Sequence, residues 1–305
     1  MRTGYTGQVR TWIIGEHEHH TTGGCAVTET QLSQERRGII SDLEVAAAFD
    51  TGVETQRRVA FLAERLITTG TTALVLGMSG GVDSLVTGRL CRLAVDRVRE
   101  QGHEARYVAM RLPYGVQKDE DDAARALGFS APDRTLTVDV APASDAMSES
   151  LRTAGMIFDG DTSEDFVFGN VKARQRMIAQ YAVAGGMRGL VVGTDNAAEA
   201  VTGFFTKYGD GGVDLVPLAG LTKRRVRALA ASLGAPEDLV NKVPTADLES
   251  LAPGRPDEEA LGLSYDRIDD FLEGLPVPED VERTLVARYR ATAHKRAVPT
   301  APSAP

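Results

Sequence analysis

The sequence predicts an α/β protein: an open parallel sheet with helices on both faces. Three observations carry that prediction. Short apolar runs recur as continuous blocks, as expected of strands buried on both sides. Stretches with helical spacing separate them, and alternating strands and helices form parallel sheets joined by right-handed crossovers. The third is GMSGGVDS at 77–84, a glycine-rich turn between an apolar run and a helix. It falls at the carboxyl end of a strand, where open sheets place their ligands.

The elements follow in order. Residues 1–40 hold no sustained period and carry clusters such as HEHHTTGG, so they are expected to form a poorly ordered extension. His17, His19 and His20 lack a carboxylate-rich shell or a cysteine nearby and read as a solvated tail rather than metal ligands. Val59, Leu62, Ala63, Leu66 and Ile67 share one helical face. TTALVLGM is the first strand, SLVTGRLCRLAVDRVRE a helix and RYVAMRL the second strand. DEDDAARALG is a helix with acids in its first turn, where they suit the dipole. RTLTVDV is the third strand, EDFVFGNVKARQRMIAQYAVAGG lies in a long helix, and GLVVGT is the fourth strand. GVDLVPLA is a candidate fifth strand, and LTKRRVRALAASLGAP is a helix ending at Gly234. AVPTAPSAP is low-complexity, so residues 299–305 are expected to be disordered. One folded domain is thus expected over 41–298.

Composition bounds the function. The chain has 305 residues, 42% hydrophobic and 25% charged, ordinary values for a globular protein. No apolar run approaches the roughly 18 residues of a membrane span, and the N-terminus has only the short run WII, unlike a secretory signal. Cys25 and Cys91 make neither a metal-ligand spacing nor a disulfide framework, so a reducing cytoplasm is the expected location. Cys91, in LCRLAV, reads as a small buried thiol. A net charge of −9 weighs against a nucleic-acid or membrane-surface binder. It leaves room for an anionic small substrate, because local clusters can oppose the global charge.

The glycine turn carries the chemistry. Gly77, Gly80 and Gly81 let the backbone approach a ligand closely. Amides of the turn and of the helix that follows can point at phosphate oxygens. The Walker A pattern fails, since Val82-Asp83 stands where Gly-Lys is required, and the dinucleotide fingerprint fails too. What remains places Asp83 beside phosphate charge, where a divalent cation is the natural mediator. Ser79 and Ser84 supply hydroxyls for further phosphate oxygens. A lone glycine turn that merely starts a helix explains the spacing less well, because strand, serine pair, aspartate and helix are in register.

SGGVDS resembles the pyrophosphate loop of the ATP-pyrophosphatase superfamily, whose members split ATP into AMP and pyrophosphate. Further stretches narrow the resemblance: RLPYGVQKDEDDA (111–123), GNVKARQRM (169–177), VGTDNAAEAVTGFFTKYGDGGVDLVPL (192–218), LTKRRVRALAASLG (221–234), PTADLE (244–249) and HKR (294–296). Together they are similar to the ammonia-dependent NAD synthetases over roughly residues 40–298. That family implies a Rossmann-like sheet of the adenine-nucleotide α-hydrolase type and a homodimer with substrate between subunits. It also implies a reaction in which nicotinic acid adenine dinucleotide (deamido-NAD) is adenylated by ATP and then amidated by ammonia, with Mg²⁺ as cofactor.

The resemblance assigns roles residue by residue. Asp83 and Glu199 match the magnesium ligands. The loop Gly77, Met78, Ser79, Gly80, Gly81, Val82, Asp83 and Ser84 matches the ATP site, as do Thr194, Lys223 and Thr245, with Arg111 and Gln117 flanking the nucleotide. Lys223 stands near a helix start, where a cation opposes the dipole, a small local cost that favours a ligand role. Arg174, Lys207, Asp214, His294 and Lys295 match the positions that hold deamido-NAD. Asp210, within YGDGG, is the candidate for binding the nitrogen nucleophile and helping deprotonate ammonium, although D-G is also a plain turn dipeptide.

The segment before the resemblance is too short for a glutamine-hydrolysing unit, which points to free ammonia as nitrogen donor. A tRNA-modifying or GMP-forming relative is the nearest rival. The acidic charge counts against tRNA, and TKYGDGG against both. A non-catalytic adenine-nucleotide sensor would need the loop but not both Asp83 and Glu199. Residues 113–119 and 205–213 and the stretch LESLAPGRPDEEALG are expected lids over the site.

Overall fold

The computed structural model describes residues 29–115, 120–246, 248 and 250–302. Four strands, β1 (Ala73–Gly77), β2 (Arg106–Arg111), β3 (Arg134–Thr137) and β4 (Gly189–Val192), form an all-parallel sheet in the order β3-β2-β1-β4. Leu76 pairs with Ala109 on one side and Val192 on the other, so β1 is central. Its residues Ala73 to Leu76 are buried, which is why that run is apolar without alternation.

Helix α1 (Glu29–Asp42) and α2 (Thr51–Thr69) precede the sheet; α3 (Val82–Glu100) and α4 (Glu120–Ser130) make the first two crossovers, and α5 (Ala141–Thr153) and α6 (Gly160–Gly186) lead to β4. After β4 come α7 (Ala197–Thr202), α8 (Lys223–Ser232) and α9 (Glu237–Val240). A two-stranded antiparallel ribbon of β5 (Thr245–Ala246) and β6 (Arg255–Pro256) follows. The chain closes with α10 (Asp257–Leu261), α11 (Tyr265–Leu272), α12 (Glu279–Ala291) and α13 (Ala293–Arg296).

Alternate strand residues feed two cores. Leu74, Leu76 and Tyr107 pack with α2, α3 and α8 through Leu62, Leu66, Leu90, Val226 and Leu229. Val75, Val108 and Met110 face Ala184 of α6 and Val140 on the other side. Each fully buried leucine contributes about 1.5–3 kcal/mol of apolar burial. A third cluster joins α1, α7, α11 and α12 through Ile39, Val201, Phe271 and Leu285. Asp50 caps α2 by accepting from the Val53 amide, and Gly70 ends it at φ +66°, a backbone glycine adopts freely.

The strand order places a reversal between β1 and β4. Their carboxyl ends open the crevice in which such sheets bind ligands.

Three expectations change. Residues 29–40, read as part of the extension, belong to α1. Among the described residues its apolar contacts are confined to the C-terminal end, where Ile39 enters the third cluster with Ile40 and Leu43 beside it. Arg36 adds polar anchoring by donating to the Asp270 and Phe271 carbonyls at 2.8 and 2.9 Å and stacking on the Phe271 ring. So short an apolar stretch makes no sustained period to read. The candidate fifth strand shrinks to one bridge, Val192 to Leu215, because Pro217 breaks the run. The ribbon of β5 and β6 was not anticipated at all. His17, His19, His20, Cys25 and Gln117 lie outside the described residues.

Candidate active site

The site begins where β1 ends. The Met78 amide continues the ladder by donating to the Met110 carbonyl at 2.8 Å, and the chain then turns at Gly80, φ +81°. A Cβ at Gly80 would come no closer than 3.4 Å to its neighbours, an ordinary contact, so the left-handed backbone rather than lack of space favours glycine. Met78 and Val82 bury their side chains in the core, leaving their backbone to the crevice. Ser79 and Ser84 hydroxyls lie 3.2 Å apart, and the Gly81 amide donates to Ser79 Oγ at 3.3 Å. Gly77 is held from behind: its amide donates to Gln180 Oε1 of α6 at 2.9 Å. Helix α3 starts after Gly81 with no side-chain cap, so its first amides are free of a side-chain acceptor from the N-cap.

Asp83, in the first turn of α3, meets two partners from distant elements. Lys223 Nζ lies 2.7 Å from its Oδ2, and Asn196 Nδ2 donates to its Oδ1 at 3.0 Å. The same ammonium is 3.6 Å from Glu199 Oε1 and 4.8 Å from the centre of the Tyr265 ring. Lys223 is thus a buried cation between two carboxylates, its side chain 2% exposed and packed on an aromatic face. The Tyr265 hydroxyl in turn donates to Asp257 Oδ2 at 3.0 Å.

Local sequence sets up these positions. Asn196 caps α7, accepting from the Ala198 and Glu199 amides at 3.0 and 3.2 Å, while Glu199 Oε2 accepts back from the Asn196 amide. This capping box fixes Glu199 with one oxygen inward and the other toward Lys223. At the start of α8, Asp269 accepts from the Lys223 and Arg224 amides at 3.0 and 2.7 Å. That carboxylate satisfies the end of the helix and offsets the lysine's unfavourable place on the dipole.

Two more acids stand close by. Asp195 follows Thr194 at the exit of β4, and Asp210 accepts from the Thr206 amide at 2.7 Å. A Cβ on Gly211 would approach Asp195 Oδ2 to 3.4 Å, which puts the two loops side by side. The charges bear this out. Burial, followed by Asp210 and Asp83, pushes the Asp195 carboxyl up to about 8. Glu199 is driven well above the ordinary range by burial, with Lys223 opposing and Asp83 adding to it. Asp210, crowded by protein yet open to solvent, is also raised by desolvation, against the Thr206 amide and Lys295. For Lys223, burial pulls downward, but Asp83 and Glu199 outweigh it and hold the ammonium above its ordinary value.

This crowd of carboxylates, bridged by Lys223 and flanked by Lys295, fits a hard divalent cation. Among the described residues no three potential ligands lie close enough to enclose a metal. Mg²⁺ does not need such a cage, since one or two carboxylates suffice when phosphate and water complete its octahedron.

The other expected residues are distributed around this centre. Thr194 is half-buried beside Asp195, Arg111 is buried at the end of β2, and Thr245 is exposed on β5. Arg174 Nε donates to the Lys207 carbonyl at 3.3 Å, and Lys207 Nζ donates to the carbonyls of His294 and Ala297. Lys295 turns inward to the Gly203 and Phe205 carbonyls, both at 2.9 Å, next to Asp210. Asp214 is engaged elsewhere: it accepts from the Val191 amide at 2.7 Å and from Tyr181 at 3.0 Å. Asn196, Asp195, Gln180 and Tyr265 were not foreseen. Only Asn196 had a readable signal, the N-x-x-E spacing of its capping box.

Residues 54–299 match the sequence profile of the NAD synthase family. The chain is 65% identical over 267 residues to an NH3-dependent NAD+ synthetase of Streptomyces coelicolor, covering 88% of this chain and 97% of that one. The crystal structure of NAD+ synthetase from Burkholderia pseudomallei is 57% identical and superposes with a TM-score of 0.77 over 88% of this chain and 98% of that one. The structure of NMN synthetase from Francisella tularensis, 30% identical, superposes with a TM-score of 0.72 over 84% and 99%.

Proposed function

The chain belongs to the NAD synthase family, and from that premise we propose that it amidates deamido-NAD to NAD with ATP and free ammonia. The nicotinate carboxylate attacks the α-phosphate of ATP, pyrophosphate leaves, and ammonia displaces AMP from the acyl-adenylate. The observation that supports this most directly is Lys223 held between Asp83 and Glu199 at the β1–β4 crevice, beside the loop 77–84.

In this reading the loop amides beyond Met78, with the Ser79 and Ser84 hydroxyls, cradle the phosphates at the start of α3, while the Gly77 and Met78 amides anchor the loop to Gln180 and Met110. Lys223 carries positive charge to the place where the leaving group gathers negative charge. Asp83 and Glu199 would hold Mg²⁺, which when bound neutralises pyrophosphate charge. Arg111, Gln117, Thr194 and Thr245 flank the nucleotide. Arg174, Lys207, Asp214, His294 and Lys295 hold deamido-NAD; Lys207, Asp214 and Lys295 do so only by exchanging the protein partners they have here. Asp210, with Asp195 behind it, takes the proton that ammonium must lose.

The exposed apolar side chains Met147, Met156, Ile157, Ile178 and Tyr181, on or between α5 and α6, support assembly as a homodimer through that face. No helix among the described residues is long and apolar enough to cross a membrane. A reducing cytoplasm suits both the substrates and the buried Cys91 thiol.

The test supplies purified protein with ATP, Mg²⁺ and either deamido-NAD or nicotinic acid mononucleotide, comparing ammonium with glutamine and following AMP and amide product. NAD formed from ammonium, and lost in Asp83→Asn, is the expected result. Preferential amidation of the mononucleotide overturns the substrate assignment, and AMP-free binding of ATP overturns the enzyme reading.

A further inference from the structure

Lys172 is a charged residue in the interior of α6 and is only 3% exposed. A buried ammonium is costly unless its protons are met. Its named partners come from two separate loops. It donates to the Leu248 carbonyl at 2.9 Å and to Ser250 Oγ at 2.8 Å. It also lies 4.3 Å from the centre of the Tyr114 ring and 4.8 Å from that of Phe168, two rings set edge to face at 5.8 Å.

A second charge on the same helix grips the same segment. Asp165 stands seven residues before Lys172, so both project from one side of α6. Its two carboxylate oxygens accept the Ser250 and Leu251 amides, each at 2.8 Å. The helix thus takes carbonyl and hydroxyl groups with a cation and amides with an anion. Packing leaves little slack, since a Cβ on Gly169 would stand 3.2 Å from the Leu248 carbonyl oxygen.

The two gripped segments are those that continue from nucleotide-flanking residues. Tyr114 lies three residues beyond Arg111, and Leu248 three beyond Thr245. We propose that Lys172, assisted by Asp165, is a positioning residue that clamps the segment around 113–115 and the residues Leu248, Ser250 and Leu251 onto α6, thereby setting Arg111 and Thr245 at the correct separation for ATP. The functional half of this inference rests on the ATP-dependent reading above; the clamp itself does not.

The test therefore has two independent readouts on full-length Lys172→Met and Asp165→Asn. Hydrogen exchange without substrates reads the clamp. Amides of 250–255 are expected to exchange about tenfold faster or more in both variants, the change in opening that loss of one charged hydrogen bond brings, while the central sheet keeps its protection. Replacing the lysine by methionine removes a desolvation cost but leaves the Leu248 carbonyl without its donor, so global stability does not discriminate and the local exchange at 250–255 is the readout. Steady-state kinetics reads positioning: KM for ATP rises about tenfold while kcat stays within a few-fold, the pattern of lost uniform binding. Unchanged exchange at 250–255, or equal acceleration throughout the chain, overturns the clamp. Faster exchange with an unaltered KM for ATP overturns the positioning role, and a wild-type protein without ATP turnover overturns the reaction reading while leaving the exchange result to decide the clamp. Should Lys172→Met fail to fold, Asp165→Asn carries both readouts, since its carboxylate is only partly buried.

Discussion

The Lys223 ammonium sits 2.7 Å from the Asp83 carboxylate, pairing the start of α8 with the start of α3 across 140 residues of chain. With Glu199 at 3.6 Å, one cation separates two acids that would otherwise repel in a poorly solvated crevice.

Lys223→Met is therefore expected to destabilise the protein by about 3–5 kcal/mol, because a broken buried pair leaves uncompensated charge. Urea unfolding measures it. Wild-type stability in the variant would show that the ammonium does not hold the acids together.

Asn196 separates capping from orientation. Asn196→Ala removes both the α7 cap, worth about 1 kcal/mol, and the donor to Asp83. Asn196→Asp keeps a cap acceptor but sets another carboxylate against Asp83. Its stability should stay nearer wild type than the alanine variant's while its turnover falls at least as far. Equal turnover in wild type and the aspartate variant would remove the orienting role.

If Asp210 takes the ammonium proton, as proposed, Asp210→Asn should depress amide formation more than adenylation. Isolated half-reactions decide this: AMP–pyrophosphate chemistry retained and NAD formation reduced by about a hundredfold, a general-base loss at the low end of the usual range. Equal losses in both halves would sink the assignment.

Away from the crevice, Asp133 ties β2 to α3. It accepts from the Tyr107 amide at 2.8 Å, Arg92 at 2.9 Å and Arg99 at 3.0 Å. Burial pushes its carboxyl up, but the Tyr107 amide and both guanidinium groups outweigh it, so the group titrates below its ordinary value. The folded state then binds this proton less readily than the unfolded chain. Its stabilisation is present above the unfolded carboxylate value and is lost as pH falls through the folded one. Asp133→Asn should cost about 1–3 kcal/mol at neutral pH, and the gap to wild type should close in acid. A gap that stays constant with pH would exclude the ionised form as the source.

What could be read in advance follows physical range. Leu74, Val75 and Leu76 announce a strand buried on both faces because burial acts residue by residue along the run. The loop 77–84 announces itself because glycine, serine and aspartate are adjacent. Lys223 stood out through its awkward place at a helix start. Asn196 as partner of Asp83 was hidden because the bond spans 113 positions, and no local pattern records it. Helix α1 was missed because its apolar contacts are bunched at Ile39 and Ile40, too few for a period, and because Arg36 binds backbone carbonyls of α11, which any sequence there could offer. The ribbon of β5 and β6 has strands of two residues, too short for any period to register.

The outer side of β4 has a consequence for the molecule's neighbours in solution. An edge strand offers spare amides and carbonyls to any passing chain. Here the Asp214 carboxylate takes the Val191 amide, and the amides of Asp214 and Leu215 take the Val191 carbonyl. The Gly193 amide is spent on the Leu215 carbonyl. A side chain and a turn thus stand where a further strand would pair, so among the described residues the sheet stops at four and resists growing by recruitment of another molecule's edge.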